Sequence, residues 1–102
     1  MNSGKLLENL RDDIVRLSSP RELILFSEKH QPDGGLSSVK LCVIIKKGNS
    51  RQIEHKLYVE MESELPFDIL VYTEDEFRRL LENRMSFAAQ IRRTGRVLYA
   101  AD

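Results

Sequence analysis

Cysteine is nearly missing from this chain of 102 residues: Cys42 stands alone. That excludes an internal disulfide, and its place in an apolar run is the ordinary situation of a buried thiol in a reducing compartment. A cytoplasmic protein is therefore expected. No apolar stretch approaches the roughly 20 residues that cross a bilayer, and the N-terminus lacks an apolar signal core, so neither membrane insertion nor secretion is expected. An excess of one charge is lacking too. Sixteen Lys and Arg balance sixteen Asp and Glu, and no segment gathers the positive charge into the stripe that a phosphate backbone selects, which argues against nucleic acid as a partner. The only histidines, His30 and His55, are far apart and have no second ligand at a familiar metal spacing, so they read as surface or loop residues and no metal site is expected. The length suits one domain, residues 1–102, with one modest core that needs no metal or disulfide staple.

The apolar pattern divides the chain into helices and strands. Leu6, Leu10, Ile14 and Leu17 recur at helical spacing, and Ser18-Ser19-Pro20 closes that first helix. Arg21 to Phe26 has the short apolar run of a strand, whereas residues 27–37 are polar, carry Pro32, Gly34 and Gly35, and read as a loop with a tight turn. Val39 to Ile45 is rich in branched residues and predicts a central strand. Alternation places Ser38, Lys40, Cys42 and Ile44 on one face, and Val39, Leu41, Val43 and Ile45 on the other. Cys42 then packs in the core and is no nucleophile. Ser50 is expected to cap a helix in which Ile53, Leu57, Met61 and Leu65 repeat until Pro66 stops it. Phe67 to Tyr72 predicts a further strand, with Asp68 on the face of Leu70 and Tyr72. Thr73-Glu74-Asp75-Glu76 spells a capping box, Ser86 a further cap, Gly95 a left-handed helix end, and Arg96 to Tyr99 a last short strand. The order favours an α+β fold, a small mixed β-sheet with helices packed on it. Within it the first two strands are antiparallel and the helix between the second and third makes a parallel crossover.

These segments also carry a resemblance. Leu25-Phe26, a turn-rich loop, and then Ser37-Ser38-Val39-Lys40-Leu41-Cys42-Val43-Ile44 resemble the minimal nucleotidyltransferases of the DNA polymerase beta superfamily. There a strand ending in Leu-Phe leads into a Gly-Ser motif, and an Asp-x-Asp pair opens the next strand. Leu65 to Phe77 is similar to the family's third-carboxylate strand and the helix after it, and Ser86 to Tyr99 to its closing segment, so the resemblance spans nearly the whole chain. It implies a nucleotidyltransferase-like fold with a degenerate active site. Ser27-Glu28-Lys29-His30 stands where the Gly-Ser pair belongs, the two metal-binding aspartates fall on Ser38 and Lys40, and only the third carboxylate, Asp68, remains. Nucleotidyl transfer of this type relies on Mg²⁺, which takes oxygen ligands. A lysine supplies none, and at 4 Å with an effective dielectric near 20 its ammonium opposes a unit positive charge by about 4 kcal/mol, and a divalent ion by about twice that.

The expected function is therefore a nucleotidyltransferase-like domain without catalysis, without Mg²⁺ or ATP, that serves as a protein-interaction or regulatory module. Its partner would be a second copy or another protein. The resemblance implies as one candidate a small helical HEPN-type protein of the kind paired with this family in toxin–antitoxin systems. Phe87, Ile91, Val97, Leu98 and Tyr99 supply apolar area for the core or for such contact. Lys40 is expected to stand in for the metal by pairing with Asp68; the alternative leaves its amine in water and Asp68 solvated. A competing reading keeps an active enzyme, with Asp68 and other carboxylates, Glu28 and Asp33 among the candidates, holding one Mg²⁺ while a nucleotide is transferred from ATP or another triphosphate. A third has nucleotide bound without turnover, its phosphates held by Ser27, Lys29, Lys40 or Arg51.

Overall fold

The structure, a computed structural model, describes residues 3–102. Helix α1, Ser3–Ser18, buries Leu10 and Ile14, the middle of the predicted stripe. It ends where Ser18 Oγ donates back to the Ile14 carbonyl at 2.7 Å and Ser19 turns to φ 44°, ahead of Pro20. Strand β1, Glu22–His30, and strand β2, Leu36–Ile45, form an antiparallel hairpin. The predicted loop over 27–37 is thus mostly strand, and the connection shrinks to residues 31–35. Residues 28–30 are polar because the hairpin tip stands in solvent, not because the backbone leaves the ladder. The tight turn itself is present. Gly34 takes φ 94°, Gln31 N–H donates to the Gly35 carbonyl at 2.7 Å, and Asp33 Oδ1 accepts from Gly35 N–H at 2.9 Å.

Helix α2, Ser50–Glu60, is capped by Asn49 and not by Ser50: the Asn49 side chain accepts from the Gln52 amide at 3.1 Å. It stops at Met61, whose ψ of 137° is extended, so Leu65 lies outside the helix that its spacing predicted. Leu65 is buried nonetheless, on the approach to strand β3, Phe67–Thr73. There the capping box predicted at Thr73 is complete. Thr73 Oγ1 accepts from the Glu76 amide, and Glu76 accepts from the Thr73 amide, opening helix α3, Glu74–Leu81. Ser86 caps helix α4, Phe87–Thr94, by accepting from the Ala89 amide, and strand β4, Arg96–Ala100, follows. Gly95 between them is not left-handed, since its φ is −77°. Room is what it provides. A Cβ there would lie 2.6 Å from the Ile91 carbonyl oxygen and collide with the Ile24 side chain.

The sheet order is β3-β2-β1-β4, with β2 and β3 parallel and the other two pairs antiparallel. Both predicted strand relations hold. This is an α+β fold, a small mixed sheet with helices on it, and the alternation in β2 divides the interior in two. Val39, Leu41, Val43 and Ile45 pack with Leu10, Ile14 and Leu57 of α1 and α2. Cys42 and Ile44 pack with Phe77, Ala88 and Ile91 of α3 and α4. Fully burying one such aliphatic side chain stabilises by about 1.5–3 kcal/mol, so β2, buried on both faces over its second half, anchors both layers. Among the described residues no helix is long and apolar enough to cross a membrane.

Candidate functional site

Three of the residues singled out from the sequence lie in one row across the sheet. Ser27 of β1 is the register partner of Lys40 of β2, and Lys40 is the partner of Asp68 of β3. The row depends on a bulge. β1 carries one extra residue at Phe26, between the Leu25–Leu41 and Ser27–Lys40 pairs. Phe26 therefore packs with the α3/α4 core while Ser27 opens onto the same hollow as Lys40. Ser38 lies one step nearer the hairpin tip, opposite Lys29, and Lys29 is exposed.

On this face the side chains bound two adjoining hollows that share Phe26, Lys40 and Phe87. One, of about 230 Å³, adds Ser27, Gln90 and Thr94. The other, of about 430 Å³, adds Glu54, Tyr58, Asp68 and Leu70. The rings of Phe26 and Phe87 meet edge to face with centroids 5.4 Å apart, and Phe87 still has 48% of its surface exposed. On the far side Tyr58 stacks on Phe67 at 5.7 Å.

Lys40 and Asp68 share a face, as alternation required, yet they form no ion pair; both side chains are exposed. This corrects the expected pairing. Register sets the backbones side by side, but two solvated charges gain too little from contact to hold a long lysine chain in one rotamer. Glu54 is a second carboxylate in the larger hollow that sequence reasoning missed. Its signal was available, because Glu54 and Tyr58 are four apart on α2 and so share a face. The other candidates are elsewhere. Arg51 is exposed on the first turn of α2, Glu28 lies 3.6 Å from His30 on the hairpin, and Asp33 is engaged in the turn. Among the described residues no three His, Cys, Asp or Glu side chains gather as a set of metal ligands.

A second polar cluster, unforeseen in the sequence, lies at the opposite end of the same face. Arg92 of α4 binds Glu22 of β1 in bidentate fashion, at 2.6 and 3.0 Å, and its guanidinium lies 5.2 Å from the centre of the Phe77 ring. The Glu22 carboxylate holds the Arg92 guanidinium above its usual pKa. Arg21 lies 3.5 Å from Glu74 beside them. Both pairs are internally matched, so the cluster fastens α3 and α4 to β1. Between the two polar ends lies Cys42, whose thiol burial pushes up to about 12, which leaves it protonated and inert at neutral pH. No protein-family model, curated protein or solved structure matches the chain.

Proposed function

We propose that this chain is a nucleotidyltransferase-like domain that has lost catalysis and acts as a protein-interaction or regulatory module. The observation that carries the reading is the row Ser27, Lys40, Asp68. The position that the resemblance reserves for a metal-binding aspartate is filled by a lysine, on the lining shared by two open hollows and next to the one carboxylate retained. The donor set does not fit Mg²⁺. Asp68 and Glu54 contribute oxygens, but Lys40 stands in the same hollow and repels a cation, and Ser38 offers only a neutral hydroxyl one step away. The aromatic lining supports contact with another protein, because Phe87 and Tyr58 expose close to half of their surface where a working cleft would need charge-bearing ligands.

Calorimetry with ATP, in the presence and absence of Mg²⁺, tests the reading. The expected result is no heat of binding in either condition and no transfer of label from the α-phosphate. Heat that requires Mg²⁺, together with label transfer, would establish an active enzyme instead. Heat without Mg²⁺, abolished in Lys40→Met, would show a nucleotide-binding module, and either outcome overturns the silent reading.

A further inference from the structure

The sheet has two outer edges, and they differ. Along β3 the edge is occupied: the Tyr58 hydroxyl accepts from the Ile69 amide at 2.7 Å and donates to the Ile69 carbonyl at 3.4 Å. Along β4 it is open. β4 pairs with β1 on its inner side, and among the described residues no other hydrogen bond reaches its backbone from beyond the sheet. An unpaired strand edge is a template for a further strand.

The side chains of β4 select which strand fits. Its pairing with β1 carries one extra residue, Leu98, between the Val97–Ile24 and Tyr99–Leu23 pairs. Leu98 and Tyr99 consequently both pack toward the α1/α2 core. Arg96 faces that side through its partner Leu25, whereas Val97 and Ala100 face the α3/α4 side, with partners Ile24 and Glu22. Ala101, just beyond the strand, stays on the α3/α4 side and lines a hollow there with Glu22, Phe77 and Arg92. The facing pattern from Val97 to Ala100 reads the same in both directions about the midpoint of Leu98 and Tyr99. Antiparallel partners in one sheet must face the same way, so the strand is complementary to itself in that register. Leu98 would lie across from Tyr99, and Val97 from Ala100. Shifting by one residue sets Leu98 across from Ala100, or Val97 across from Tyr99, on opposite faces.

Charge agrees with this register. The edge begins with Arg96, and Asp102 follows its far end; both are exposed, and neither forms an ion pair among the described residues. A two-fold axis brings the basic end of one strand to the acidic end of the other, twice. We propose that the outer edge of β4 binds a second copy of this chain, antiparallel about the midpoint of Leu98 and Tyr99, joining two four-stranded sheets into one. The proposal names the partner within the interaction reading, but it concerns a separate surface and holds whether or not nucleotide enters the Lys40 hollow.

Sedimentation equilibrium of the full chain, from about 1 µM to about 1 mM, tests it. A reversible monomer–dimer equilibrium is expected. Arg96→Glu or Asp102→Arg alone should weaken dimerisation on the order of tenfold, and the two together should restore it. Thermal midpoints of the variants establish that they remain folded. In the unaltered chain, the amides of residues 97–100 should exchange more slowly as concentration rises. A chain that stays monomeric throughout, or a dimer indifferent to both charge reversals, overturns the proposal. A monomer that fails here yet captures no nucleotide by calorimetry would leave the silent-cleft reading standing and remove only the partner.

Discussion

A methyl group added at Gly95 meets the Ile91 carbonyl oxygen at 2.6 Å and the side chain of Ile24, one atom from backbone and one from a packed core. Neither yields easily, because Ile91 also accepts the hydrogen bond that ends α4, from Gly95 N–H at 2.8 Å. Gly95→Ala is therefore expected to destabilise the protein by about 1–3 kcal/mol, measured by urea denaturation, even though its φ suits any residue. The sequence shows a glycine after a helix and cannot tell which of two reasons keeps it there, a left-handed turn or a lack of space. Lys40 teaches a similar lesson. Alternation correctly assigned its face, since that follows from backbone geometry alone. Whether its amine would close on Asp68 depended on solvent access at that point of the sheet, which no pattern of residue types encodes.

Helix α3 shows what an element inherits from its first turn. Glu76 is held below the usual carboxylate range chiefly by the Thr73 amide it accepts, and further by the Ser50 hydroxyl. A carboxylate bound more tightly as the anion when folded contributes stability that is present above its unfolded pKa of about 4.3 and is lost as pH falls through the lower, folded value. Gln at this position keeps the acceptor and does not titrate. The thermal midpoint should thus fall more steeply between about pH 5 and about pH 3 in the unaltered protein than in Glu76→Gln. Such caps were legible because Thr73 and Ser86 precede strong apolar spacing. The end of α2 was not, since Met61 and Leu65 keep a helical interval although the chain has already become extended and buries Leu65 by another route. The hairpin was underestimated for a related reason: polarity from Ser27 to His30 reports water on the strands and was taken as a break in them.

At the scale of the whole molecule, β2 belongs to both cores, and its two faces cannot loosen separately. Ile91→Ala empties space in the α3/α4 layer and is expected to cost about 2–5 kcal/mol. Because the layers share that strand, amide exchange should accelerate at Leu10 in the α1/α2 layer as well as in α4; acceleration confined to α4 would show that the cores melt apart. The order of elements, the mixed sheet and the parallel crossover were all readable from periodicity. The place of β4 was not, because nothing in a five-residue strand says which edge it will join. It joins β1, from which the whole of β2, α2, β3 and two further helices separate it. During synthesis β1 therefore waits beside its hairpin partner with one flank bare while the remainder of the chain is made. Through that interval its open flank is the edge at which a stray strand would pair.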